Sequence, residues 1–206
     1  MKSVLKVTPF IMIALLFVTG CASVVTPSVN NEAAALRGGA YRLDETHASL
    51  LFKIDHLGFS NYVGRFEKFS ASLDFDEEDV TAARVSAIID MASLDIANDE
   101  FGETLMGPQW FDAVQFPQAV FESNAISLTG DNTGTMTGDL TLHGITQPVT
   151  FDVTFNGGAR DILRSAYIVG FSARTTIVRT DFGISKFAGI ITNDVVLEIE
   201  AEFIRE

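Results

Sequence analysis

From Tyr41 to the C-terminus the chain alternates with a period of two. The stretch "VTFDVTF" sets Val149, Phe151, Val153 and Phe155 on one face and Thr150, Asp152 and Thr154 on the other. The stretch "VVLEIEAEFIRE" repeats the pattern, with Val195, Leu197, Ile199, Ala201 and Phe203 opposite Val196, Glu198, Glu200, Glu202 and Ile204. Similar runs occupy residues 47–56, 62–76, 82–96, 118–128, 133–143 and 164–178. One apolar and one mostly polar face per strand is the signature of an antiparallel sheet with a single buried side. Turn chemistry separates the runs: "GDNTG" precedes the fifth, "HGITQP" follows it, and "NGGARD" follows the sixth. Phe66 and Phe69 fall out of phase with one another, which predicts a bulge near Lys68.

About eight strands with one apolar face must bury it in a sandwich or by closing on themselves. The runs are ~10–14 residues long against a usual ~5–6, which favours a tall barrel. The pattern therefore predicts an all-β fold, an eight-stranded antiparallel barrel. Asn98 to Gln118 lacks the period and holds the only tryptophan, Trp110, so one or two short helices are expected to cap one end. The inward set mixes large residues (Leu50, Phe52, Ile54, Phe75, Phe151, Phe171) with small ones (Ala71, Ala87, Gly138, Ala173, Ala201). Such a set can interleave as a dry core or leave a channel, and the pattern alone is compatible with both.

The N-terminus changes the picture of where the barrel works. Lys2 and Lys6 precede the apolar run Phe10 to Val18, which is shorter than the ~20 residues a membrane-crossing helix needs. A basic start, a short apolar run and small residues at its end describe an export signal over residues 1–20. Val18-Thr19-Gly20-Cys21 resembles the bacterial lipobox, with Val where Leu is commoner, so Cys21 is the expected lipidation site. Ala22 is not Asp, and by the common sorting rule the expected address is the bacterial cell envelope, periplasm-facing, at the outer membrane. Cys21 is the sole cysteine, so no internal disulfide staples the fold. Residues 21–39, ending in Gly38-Gly39, read as the lipidated cysteine and a flexible tether, spanning ~25 Å. Residues 40–206 make one domain.

Without residues 1–20 the chain carries 12 Lys and Arg against 27 Asp and Glu. So acidic a surface repels phosphate backbones, which argues against nucleic acid, and it offers no basic patch for anionic headgroups. Attachment to a membrane must then come through Cys21.

Catalytic and metal chemistry find little support. There are three histidines, His47, His56 and His143, and no nucleophile elbow. His47 and His56 lie nine apart, on opposite faces of a strand. "DFDEED", Asp74 to Asp79, lacks the central glycine of a calcium loop and reads as a solvated turn. No enzymatic activity, no metal and no cofactor are expected. His56 continues the inward row of Leu50, Phe52 and Ile54 at the strand end, either as a capped structural histidine or as a polar contact to a ligand. Arg179 and Asp181, in "VRTDFG", are open to the same two readings, with a rim salt bridge as the structural one.

Four motifs then fall in a familiar order: "ETHASLLFKIDHLGFSNYVGRFEKFSASLDFD", "WFDAVQFPQAVFES", "GDLTLHGITQPVTFDVTF" and "VGFSARTTIVRTDFGI". Together they resemble the YceI-like polyisoprenoid-binding family across the whole folded part, here in a lipoprotein form. The resemblance implies a lipocalin-like barrel holding an isoprenoid lipid, of quinone or prenyl phosphate type, in its apolar interior. Members occur free or as lipoproteins, and some accompany cytochrome b561-type membrane proteins, an implied partner. It implies a cavity wall of Leu50, Phe52, Ile54, Phe66, Phe75, Ala87, Ile89, Trp110, Phe111, Phe121, Leu140, Phe151, Phe171 and Ala173. His56 and Arg179 are then candidate headgroup contacts beside their structural readings, and Trp110 and Phe111 either a plug or a gate. One departure stands out: many members carry Arg-Asp-x-His-Leu before Phe-Phe-Asp, whereas this chain reads "GETLMGPQWFD", without the Arg and His. The competing expectation is a structural or partner-binding envelope lipoprotein with a filled core.

Overall fold

The computed structural model describes residues 27–30 and 37–206. The signal segment 1–20, the expected lipidation site Cys21 and tether residues 22–26 and 31–36 lie outside the described residues.

The strands are β1 (Gly39–His56), β2 (Ser60–Phe66), β3 (Phe69–Phe75), β4 (Arg84–Asp90) and β5 (Leu94–Asp95), then β6 (Gln118–Leu128), β7 (Thr133–Leu142), β8 (Ile145–Asp161), β9 (Ala166–Val178) and β10 (Asp194–Arg205). They form eight staves, because β2 with β3 and β4 with β5 are each one stave with a short interruption. Each stave pairs antiparallel with the next in sequence. β1 also pairs with β10, from Tyr41 opposite Arg205 to Ile54 opposite Val195, and so closes the sheet into a barrel. Closure removes the exposed edges on which sheets aggregate.

The expected bulge falls at Glu67–Lys68. Phe66 pairs with β1 and β5, Phe69 with β4, and the two intervening amides donate to the Ser93 carbonyl and Oγ, each at 3.0 Å. Met91–Ser93, a 3₁₀ turn in the neighbouring stave, is the matching interruption. The barrel bends there without leaving a backbone donor unpaired.

One capping helix forms, α1 (Asp99–Met106), between β5 and β6. Asn98 caps it through its side chain to the Phe101 amide, and Asp99 and Glu100 stand in the first turn, where the helix dipole favours acids. Leu105 is buried toward the barrel, and the turns after Gly107 carry Trp110 and Phe111 over the same end. Inside, buried side chains gather in two groups. Phe52, Met91, Phe121, Leu140, Phe151 and Phe182 lie toward the helix end. Tyr41, Leu73, Phe75, Phe155, Val169 and Phe203 lie toward the opposite end. Two glycines make room for this packing: a Cβ on Gly64 would stand 2.3 Å from the Phe52 ring, and one on Gly138 would stand 2.5 Å from Phe121.

A second irregularity is absent from the hydrophobic pattern. Between Leu43 and Ala48 the β1–β10 register shifts, and Asp44 to His47 bulge outward. The buried Asp44 carboxylate accepts from the Thr46 amide and hydroxyl (3.1 and 2.6 Å), and contacts His47 Nδ1 (2.9 Å). Arg164 donates to it from 120 residues away (2.8 Å) while also binding Asp161 and Glu202. Arg164 thus ties the bulge to the β8–β9 turn and to β10. Asp44, His47 and Glu202 approach closely enough to suggest ligands, but the guanidinium already supplies their positive charge.

Hydrogen bonds, first from the Thr46 hydroxyl and then from His47 and the Thr46 amide, hold the Asp44 carboxyl down at about 2. Its folded value lies below its unfolded one. Its contribution is therefore complete above about pH 4 and disappears as the pH falls toward 2. Urea unfolding between pH 2 and 7 should show Asp44→Asn less stable than wild type near neutrality by roughly 1–2 kcal/mol, with the gap closing below pH 3. A gap that persists unchanged at pH 2 would mean the carboxylate charge is not what holds the bulge.

Candidate functional site

The inward faces of the staves do not fill the barrel. A cavity of about 440 Å³ runs through it, within the ~300–1,000 Å³ range of small-molecule sites. Its wall is almost wholly apolar. At the helix end it reaches Asp55, His56, Phe101 and Phe187, and at the opposite end Leu128, Asp131 and Asn132.

The side chains expected on the wall all line it. Leu50, Phe52 and Ile54 come from β1, Phe66 from β2, Phe75 from β3, and Ala87 and Ile89 from β4. Phe121, Leu140, Phe151, Phe171 and Ala173 come from β6 to β9. Trp110 and Phe111 add to the wall at the helix end from outside the sheet: Phe111 meets Phe52 and Phe66 edge-on at 6.5 and 5.8 Å, and Trp110 packs on Phe187 at 6.1 Å. The small residues explain why space remains. Ala71 pairs with Ala87, and Ala173 and Ala201 stand on adjacent staves, so the middle of the wall recedes. Gly138 behaves differently, since the Phe121 ring occupies the space it leaves.

Sequence reasoning left out part of the wall. Leu197 and Ile199 share the alternation already read in β10 and could have been included. Ile184, Phe187 and Ile191 could not, because they sit in an irregular loop after β9 with no local period.

The two polar candidates part ways. His56 lies exposed at the helix end; its backbone carbonyl accepts from Phe59 (3.1 Å), and no hydrogen bond to its ring occurs among the described residues. Its imidazole is free to meet a ligand. Arg179 is engaged by the backbone instead. It is buried, and its guanidinium donates to the carbonyls of Thr192 (3.1 Å), Ile184 (2.8 Å), Lys186 (2.9 Å) and Ile191 (3.5 Å). It lines the cavity, but its guanidinium is directed to backbone carbonyls, and no rim salt bridge forms with Asp181. Asp181 is exposed, with its carbonyl accepting from Gln147, and forms no ion pair with Arg179. Burial lowers the Arg179 pKa, and the four carbonyls supply the partners that a buried cation requires. The residue braces the loop that carries Ile184 and Phe187, and so shapes the wall to which it also belongs.

Arg179→Met keeps an unbranched apolar stem and removes every donor, leaving several carbonyls unpaired. We expect a loss of roughly 2–4 kcal/mol in chemical denaturation and faster hydrogen exchange confined to residues 183–193. Arg179→Lys, with one ammonium in place of a fork, should recover only part of the loss. Uniform exchange acceleration across the barrel would contradict a local brace.

The YceI-like domain model matches residues 41–203. A UPF0312 protein of Pseudomonas putida (strain W619) is 36% identical over 168 residues, 81% of this chain and 86% of the relative. One from Vibrio parahaemolyticus is 33% identical over 187 residues, 90% of this chain and 96% of the relative. Among solved structures, Burkholderia cenocepacia BcnA superposes with a TM-score of 0.70 at 27% identity, covering 78% of this chain and 98% of its own. A polyisoprenoid binding domain from Saccharophagus degradans superposes with a TM-score of 0.63, covering 82% and 100%, and at 14% identity it shares the fold alone.

Proposed function

The chain belongs to the YceI-like domain family, and on that footing we propose that its barrel binds a long isoprenoid chain, as a carrier or store, without transforming it. The observation that carries this reading is the apolar cavity reaching from one end of the barrel to the other. A flexible hydrocarbon suits such a tube, because the wall offers dispersion contacts along its length and no charged partner midway. The S. degradans neighbour, which shares this fold, is described as a polyisoprenoid binding domain.

Energetics allow it. Burying several hundred Å² of hydrocarbon at about 25 cal/mol per Å² gives on the order of 10 kcal/mol before ordering costs are subtracted. No headgroup anchor is needed for useful affinity. Apolar walls discriminate poorly between similar chains, so selectivity falls to the ends of the tube. At the helix end His56 supplies a free imidazole for the polar head of a quinone or prenyl phosphate. The setting we assign is the bacterial envelope, with Cys21 lipidated and the barrel facing the periplasm. A filled core acting through the acidic exterior is the poorer reading, because the core is not filled.

Native mass spectrometry of the protein purified without detergent, followed by extraction and identification of any lipid, tests the proposal. Wild type should carry a prenyl lipid. Ala87→Phe with Ala173→Phe places two rings in the void and should remove the lipid while leaving thermal stability within a few degrees or raising it. A double variant that retains lipid at wild-type stoichiometry would sink the proposal. So would a wild type that is empty and refuses added quinone.

A further inference from the structure

At the helix end three loops surround the cavity mouth, and each turns apolar side chains toward water. The β1–β2 turn presents Leu57 and Phe59, α1 and the turn after it present Phe101 and Val114, and the loop after β9 presents Phe187 and Ile190. Phe59 is 86% exposed, Val114 95% and Ile190 67%. Scattered exposed apolar residues need no explanation, but six on three loops around one opening do.

Backbone conformation singles out two of them. Leu57 (φ 59°) and Gly58 (φ 76°) are both left-handed, in a tight hairpin closed by the Phe59 amide on the His56 carbonyl. Asn, Asp or Gly is the usual first residue of such a turn, not an exposed leucine. Phe187 (φ 57°) is likewise a bulky left-handed residue with its ring half exposed. Packing in the barrel interior does not account for how far these side chains are exposed, and the backbone would be easier without them.

Among the described residues, the N-terminal segment keeps to the other end of the barrel. Asn30 pairs with Gly158 through both backbone bonds, at the opposite end of the barrel, where β1 also begins. A second copy fits poorly, because Asp99, Glu100 and Glu103 on α1 and Asp55 and Asp112 beside the rim would face their own kind. Lys186 lies over the Phe187 ring at 5.0 Å, and no basic cluster adjoins the mouth to seek an anionic surface.

We propose that this apolar rim docks the cavity mouth onto a neutral lipid bilayer, so that a lipid chain enters the barrel directly from the membrane. The inference rests on the lipid-binding reading above. Loop tips bearing Leu, Phe and Ile settle at the boundary between headgroups and acyl chains. Phe101 and Phe187 belong both to the rim and to the cavity wall, which makes the exposed apolar rim continuous with the apolar interior.

The test is the kinetics of loading. Full-length protein reconstituted in phosphatidylcholine vesicles is mixed with donor phosphatidylcholine vesicles holding a fluorescent prenyl alcohol and a non-exchangeable quencher, with protein-free transfer subtracted. Docking predicts an initial rate proportional to donor concentration. Phe59→Ser with Val114→Ser and Ile190→Ser should slow loading at least tenfold and leave the final amount bound unchanged. Leu57→Asn suits the left-handed turn, so it should raise the melting temperature and still slow loading, which separates docking from damage to the fold. A wild-type rate independent of donor concentration, or a rate unchanged in these variants, overturns the docking inference and leaves lipid binding standing. Rim variants that dissolve a dimer without changing the rate also overturn it, in favour of a second copy. If neither protein ever loads, the lipid-binding reading fails and docking falls with it.

Discussion

Everything in this molecule depends on the pairing of β1 with β10. Each stave has one apolar face, and only closure of the ring puts all those faces on a common interior while leaving no edge unpaired. Once closed, an eight-stranded barrel has a fixed girth, so side-chain volume decides whether the inside is solid. Large aromatic residues gather toward each end, and alanines recede from the middle of the wall. The void follows from that distribution of volumes.

The same alternation organises the outside. Thr137 bonds Thr150 across β7 and β8 at 2.8 Å, and Ser172 links Asn156 to Glu200 across three staves. Lys53 and Arg174 flank Glu198 on β10, lowering its pKa with Lys53 the larger influence. These are exposed ladders worth little individually. Arg164 differs because its central partner, Asp44, is buried, so one cation holds a bulge, a turn and the closing strand together. Closure is thus apolar on the inside and fastened by a polar clamp on the outside.

What the sequence revealed follows from how far each interaction reaches along the chain. Stave positions, the break of phase at Glu67–Lys68 and the wall residues borne on strands show in neighbours two to four positions away, so Leu50, Phe52 and Ile54 or Phe151 and Val153 declare their face locally. The Asp44 bulge depends on Arg164, 120 residues distant, and leaves no trace in periodicity. Arg179 shows the same limit at shorter range. An arginine at a strand end resembles a rim charge until the loop that follows is seen to fold back and offer it carbonyls. The choice between a filled and a hollow barrel was also beyond the pattern, because Gly138 and Ala173 look equivalent in sequence. Only packing shows that a phenyl ring occupies one space and nothing occupies the other.

Arg179 also bears on how a barrel with an apolar interior can have a mouth at all. A loop crossing the end of such a tube carries backbone carbonyls into a poorly solvated place, where each needs a donor. One buried guanidinium meets that need for Ile184, Lys186, Ile191 and Thr192 together, which frees the loop's side chains to be apolar. Ile184 and Phe187 then face the cavity, and Ile190 faces out. With the cation turned inward to backbone, the polar rings left at the helix end of the cavity are those of His56, Tyr62 and Trp110. On the reading proposed above, recognition then lies mostly in the length and shape of a hydrocarbon, because the wall offers dispersion contacts along the barrel and keeps its polar groups to the two ends.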